Sequence, residues 1–247
     1  MNARLLAKNA RAMSRTQLKQ IKAPKGTKTW QPMEHHHLIT KIEEALGRAN
    51  LSIPKEDIAV ARGGEFLFYV ADIDRGYGSK LLKTKGYSAS IGVMSSNNKR
   101  IAIQISVGAR VEVCDNLMFS GDVIILRKKH TQSLKIDEEL DKALISFSEG
   151  FKSLADEIEV MKSKELEDLE AMGIILESFT KHKVLPIRVI YQVYQEYFNP
   201  THKEFKARTL WSLQNAFTIA ARELSPGRKF LSLKILAKIF SDILKDQ

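Results

Sequence analysis

Ile58-Ala59-Val60-Ala61-Arg62-Gly63-Gly64-Glu65-Phe66-Leu67-Phe68-Tyr69-Val70 decides how this chain is built. Two runs rich in β-branched and aromatic residues flank a Gly-Gly pair, which is the pattern of a β-hairpin whose turn needs positive φ. Working downstream, Ile101-Ala102-Ile103-Gln104-Ile105 follows the polar turn Ser95-Ser96-Asn97-Asn98-Lys99, and Val111-Glu112-Val113 and Val123-Ile124-Ile125-Leu126 extend the series. The connections are too short for crossover helices, so the pattern predicts five or six strands, mostly antiparallel. Upstream, Leu38, Ile39, Ile42, Ala45 and Leu46 recur at helical spacing over about 34–49, with Pro54 closing that region.

After Lys135 the texture turns helical. One long helix or two consecutive ones are expected over 137–181, with Leu140, Leu144, Phe147, Phe151, Leu154, Ile158 and Met161 as the inward stripe. Pro186 starts another helix running to about Phe198, Pro200 ends it, and 207–224 and 229–244 complete the set. The fold class is therefore α+β: N-terminal helices, an antiparallel β-rich half, then an all-helical C-terminal half. The divisions fall at 1–29, a basic helical arm and loop; 30–134, the β-rich half with its leading helix; and 135–247, the helical half packed on it.

With 247 residues, 44% of them hydrophobic, the chain can bury a full core. Its longest apolar runs, such as Val123–Leu126, fall far short of the roughly 18 residues a membrane helix needs. No secretory h-region follows the basic start, and the single cysteine, Cys114, has no intramolecular partner. Both features fit a reducing cytoplasm.

Charge is distributed unevenly. Residues 1–33 carry eight Lys or Arg and no acid, whereas 135–170 carry twelve Asp or Glu against five Lys, so the remainder of a chain of net charge +10 stands at +17. Such asymmetry points to a surface that meets a polyanion. The stretch 1–21 lacks Gly and Pro and is rich in helix formers. Wound as a helix, it would place Arg4, Lys8, Arg11, Arg15, Lys19 and Lys22 within a sector of about 80°. Two further cationic clusters are Lys83 and Lys85 beside Gly86-Tyr87, and Arg127-Lys128-Lys129-His130. Cations neutralise phosphates, and a tyrosine such as Tyr87 can stack on unpaired bases. A membrane surface fits less well, because the apolar side of 1–21 is small and holds no Trp or Phe.

The common catalytic signatures are missing: no G-x-x-x-x-G-K, G-x-G-x-x-G, H-E-x-x-H or G-x-S-x-G occurs. His35-His36-His37 points in three directions about 100° apart on a helix, which favours one packed and two wet imidazoles over a metal site. Asp72 and Asp74 share one side of a strand and could serve a two-metal nuclease or simply a turn. Cys114, Asn116 and His130 could form a nucleophile, orienter and base, or a buried thiol, a turn residue and a helix cap. No cofactor or metal is called for by any motif.

Two blocks resemble a family of unknown function encoded by phages, plasmids and their bacterial hosts. The first is Val107-Gly108-Ala109-Arg110-Val111-Glu112-Val113-Cys114-Asp115-Asn116-Leu117, followed by Arg127-Lys128-Lys129-His130-Thr131; the second is Arg208-Thr209-Leu210-Trp211-Ser212-Leu213-Gln214-Asn215-Ala216-Phe217-Thr218. The family's hallmark positions map onto Arg110, Cys114, Asn116, His130, Thr131, Trp211, Asn215 and Thr218. Where many members carry a His-Asp pair this chain has Met172-Gly173, and residues 1–29 fall outside the likeness.

The expectation drawn from all this is a nucleic-acid-binding protein, DNA before RNA, engaging single strands in replication, recombination or annealing. The cations of residues 4–22, with Lys83, Lys85, Tyr87, Arg110 and 127–130, form its binding set. The rival readings are an enzyme using Cys114 and His130, or Asp72 and Asp74, and an oligomer formed through the C-terminal helices.

Overall fold

The Gly-Gly hairpin exists, and the rest of the sheet is assembled on it. A computed structural model describes residues 10–75, 83–84, 86–111 and 116–245, with the backbone alone at 75, 83, 84, 116–124, 148 and 226. Strands β2 (Leu51–Ala61) and β3 (Phe66–Arg75) pair antiparallel from Ala61 opposite Phe66 to Leu51 opposite Arg75. A single 3₁₀ turn joins them, with positive φ at Arg62 (51°), Gly63 (68°) and Gly64 (99°). Glycine is needed at 64 for a second reason, since a Cβ there would come 3.0 Å from the Ile21 side chain.

The sheet continues through β5 (Tyr87–Ser96), β6 (Ile103–Val111) and β7 (Asn116–Lys128) and begins at β1 (Ala10–Ala12), giving the order β1-β2-β3-β5-β6-β7 with the two-residue β4 (Lys83–Thr84) on β5. Every pairing among the described strands is antiparallel. Alternation fixes the two faces. Ile58, Val60, Leu67, Tyr69, Ile91, Val93, Ile105 and Val107 join the main core with the helices α2 (His35–Arg48), α3 (Ile136–Ser163) and α6 (Leu210–Ala220). On the other face Ala59, Phe66, Phe68 and Val70 pack against Phe230 and Leu233 of α7 (Pro226–Lys245). Helices α4 (Asp168–Thr180) and α5 (Ile190–Phe198) complete the C-terminal half. The molecule is thus α+β, as the period change predicts. Pro54, expected to close the first helix, lies inside β2, at a register shift between Ser52 and Lys55 where its missing N–H costs no ladder bond.

The expected helix over 1–21 is corrected in its described part. Ala10–Ala12 form β1, pairing with Ala61, Val60 and Ala59 on the outer edge of β2. A single helical turn, α1 (Arg15–Leu18), follows, with Ser14 and Gln17 capping each other. Leu18 is fully buried in the main core. Helix propensity loses here to an open sheet edge and an apolar socket, which together bind this segment to the fold. Among the described residues the cationic stripe expected on one helix face therefore does not form; Arg4 and Lys8 lie outside them.

Candidate nucleic-acid interface

Cations predicted from sequence fall into two groups, those answered by carboxylates and those left in water. Arg15 is answered most fully. Its Nε and Nη2 donate to Glu56 at 2.7 and 2.6 Å, and its Nη1 donates to Glu43 at 2.7 Å. Tyr69 adds a hydroxyl donor to Glu56 at 2.9 Å. The Glu56 hydrogen bond raises the pKa of Arg15 above its ordinary value. Burial alone would raise the Glu56 carboxyl, but donation from Arg15 and Tyr69 outweighs it and holds the group below the usual carboxylate range. Lys22 lies 3.7 Å from Glu34, and Lys128 sits 2.9 Å from Glu139 of α3.

Three more of the expected binding residues are buried or held in an ion pair. Tyr87 is enclosed, its ring 6.4 Å from that of Trp211 and its hydroxyl directed at the Ala155 carbonyl, so it has no free face for a base. Arg110 Nε is 2.8 Å from Asp72 Oδ2, with the Asp72 side chain buried, so one candidate site neutralises another. That pair also withdraws Asp72 from any carboxylate couple with exposed Asp74. His130 is buried. Lys83 contributes its backbone to β4, while Lys85 and Cys114 lie outside the described residues, as does the side chain of Asn116.

Geometry also settles which nitrogen of His130 carries its proton. The Met33 amide donates to Nδ1 at 3.1 Å, so Nε2 holds the hydrogen and donates to Ser95 Oγ at 2.8 Å. An imidazole in that tautomer cannot take a proton from the serine, and burial with the nearby His35 pushes its pKa down to about 4. His35 donates through Nε2 to the Gly64 carbonyl at 2.8 Å; burial lowers its pKa against that bond. His130 and His35 are thus ties, fastening the chain before α2 to β5 and to the Gly-Gly turn. Of the three adjacent histidines only His35 is packed, with His37 exposed and His36 between those extremes. Among the described residues no three His, Cys, Asp or Glu side chains are grouped to hold a metal.

Trp211, Asn215 and Thr218 are buried in α6. The Asn215 amide donates to the Trp211 carbonyl and the Thr218 hydroxyl to the Gln214 carbonyl, both at 2.9 Å, so the polar groups bond within their own helix. Thr131 is half-buried, its hydroxyl 3.4 Å from that of Ser133.

Several of the cations left in water, though not the exposed Lys19, are brought together at one end of the sheet. The Gln31 amide donates to the His130 carbonyl at 3.1 Å, bringing the loop with Lys25 and Lys28 against the end of β7, where Arg127 and Lys129 are exposed. Register sets Ile103 opposite Lys128, so the β5–β6 turn bearing Lys99 and Arg100 meets the same end. Lys99 Nζ stands 4.9 Å above the Trp30 ring. Lys25, Lys28, Lys99, Arg100, Arg127 and Lys129 have no carboxylate partner among the described residues.

A cleft of about 570 Å³ lies near this end, between β1, α1 and the Gly-Gly turn; Arg11 and Arg62 line it and no acid does. Lys99, Arg100, Trp30 and Arg62 were missed in the sequence, though Asn97-Asn98-Lys99-Arg100 does read as an exposed cationic turn. Comparison of the chain with protein-family models, with curated proteins and with solved structures gives no match.

Proposed function

We propose that this protein binds nucleic acid, as a phage- or plasmid-type single-strand-binding or annealing protein would, through the basic end of its sheet. The observation that carries the proposal is the meeting of three separate chain segments there, 25–31, 99–100 and 127–129, each with exposed cations that no carboxylate answers among the described residues. Leaving so many like charges together is unfavourable unless an anion joins them. Phosphates would meet Lys25, Lys28, Lys99, Arg100, Arg127 and Lys129, while Trp30 offers an aromatic ring beneath Lys99. The contacts expected are to backbone, so binding should be largely indifferent to sequence, and six phosphates on a single strand give a slope of log K against log salt of about −4.

Deleting residues 1–29 is the wrong test, because it removes β1 and Leu18 from the fold. Charge reversal in place is the right one. Fluorescence anisotropy with a labelled oligothymidylate at two salt concentrations should show Lys99→Glu/Lys129→Glu binding at least tenfold more weakly, with a shallower slope. Unchanged affinity in that variant, or no binding by the parent protein at low salt, overturns the proposal.

A further inference from the structure

Helix α4 is apolar on two sides. Ala171, Ile175 and Phe179 point into the core, yet Leu169, Met172 and Leu176, at i, i+3 and i+7, form a second stripe that faces water. Leu169 is 80% exposed and Leu176 57%. A helix apolar all round is ordinarily enclosed on all sides, and here one side has no cover among the described residues. Beside it, the turn into α5 presents Ile187 (64% exposed), and α5 itself presents Tyr191 (69%) and Tyr194 (38%). Two packed helices thus each present exposed apolar side chains, of the kind that marks an association surface.

The charges at the two ends of this face say what covers it. At the start of α4 stand Glu167, Asp168 and Glu170; Asp168 and Glu170 lie close enough to Tyr197, near the end of α5, to act on its hydroxyl. At the other end, where α4 turns into α5, stand exposed His182, Lys183 and Arg188. Thirteen residues of helix hold the two ends apart. At 1.5 Å per residue that is about 20 Å. An anionic end, an apolar middle and a cationic end form a surface complementary to itself when one copy is turned end for end, as two-fold symmetry requires. Arg208, a cation at the acidic end, is occupied with the Tyr197 and Phe198 carbonyls at 2.7 and 3.2 Å and with the Phe198 ring at 4.6 Å.

From this we infer that the α4–α5 face binds a second copy of the same chain, with Leu169, Leu176, Ile187 and Tyr191 at the centre and Glu167, Asp168 and Glu170 of each copy against Lys183 and Arg188 of the other. The inference is independent of nucleic-acid binding. Sedimentation velocity over a range of protein concentrations, without nucleic acid, tests it. The parent chain should sediment as a dimer. Leu176→Glu and Tyr191→Glu, both at exposed positions and checked for folding by circular dichroism, should be monomers. Glu167→Lys/Glu170→Lys should weaken association by about tenfold or more, and adding Lys183→Glu/Arg188→Glu to the same chain should restore it, which a merely sticky patch would not do. A monomeric parent, dimers that persist in folded Leu176→Glu, or double reversal without rescue would each overturn the inference. So would loss of oligonucleotide binding in Tyr191→Glu with the oligomeric state unchanged, which would make the Tyr191–Tyr194 pair a base-stacking platform instead.

Discussion

The segment 10–22 and the loop 25–31 look alike in sequence, both cationic and free of acid, but the fold treats them in opposite ways. Arg15 is clasped by Glu56 and Glu43, whereas Lys25 and Lys28 meet no carboxylate among the described residues. The acids that answer Arg15 come from β2 and α2, 41 and 28 residues away. A local charge count therefore reveals where cations are dense but not which of them the tertiary structure will neutralise. One segment has become part of the core assembly, and the other keeps its charge in water.

Leu18→Ala offers the strongest way to break that contrast. Leu18 is wholly buried, and its truncation should cost about 3 kcal/mol in a urea titration. A cost below about 1 kcal/mol would show the first segment to be a detachable arm after all. Next comes Glu56→Gln, which leaves Arg15 and Tyr69 with a weaker acceptor. A loss of about 2 kcal/mol is expected by the same titration, with oligonucleotide affinity unchanged.

Acid should act on the histidine ties before it acts on that carboxylate. His130 titrates at about 4 in the folded protein against 6.5 in the unfolded chain, so its contribution is complete above pH 6.5 and declines as pH falls toward 4. His35 shifts in the same direction. Glu56, with its pKa depressed, contributes in full above its unfolded value of 4.5 and loses that contribution only as pH falls through its folded pKa. Midpoints of thermal unfolding should thus drop between pH 6.5 and 5, and His130→Gln should flatten the drop over that interval. Equal slopes in the two proteins would remove His130 from the account. The smallest expected change is in the stability of Lys99→Glu/Lys129→Glu. Both side chains are exposed, so the unfolding free energy from a urea titration should change by less than about 0.5 kcal/mol while binding falls.

Much of the fold could be read from periodicity. Ile58–Val70 announces its hairpin, and the inward stripe from Leu140 to Met161 announces α3. Strand β5 escaped notice because Tyr87-Ser88-Ala89-Ser90-Ile91-Gly92-Val93 alternates apolar residues with Ser and Gly, a weak contrast for a strand enclosed on both faces. Residues 10–18 were misread because their propensity is helical, while their conformation is dictated by Ile58–Ala61, about fifty residues later in the chain. The candidate site was half legible. Lys129 and Arg127 stood out as a cationic run, but no local pattern could reveal that a Gln31 amide would carry Lys25 and Lys28 to them. His130 stood out as well, as a candidate base, but its ring is tied between the Met33 amide and the Ser95 hydroxyl, which sequence cannot show.

Strand β1 is only three residues long, yet it covers the outer rim of β2 at Ala59, Val60 and Ala61, and the Met13 amide extends the cover to the Ile58 carbonyl. Farther along that rim Pro54 offers no N–H to an incoming strand. Proteolytic clipping just before Ser14 would lift the cover and leave a short, strongly β-forming ladder open to pairing with its like. The damage to expect from such a cut is clumping into β-rich aggregates rather than quiet loss of a tail, which makes those few residues a safeguard of solubility.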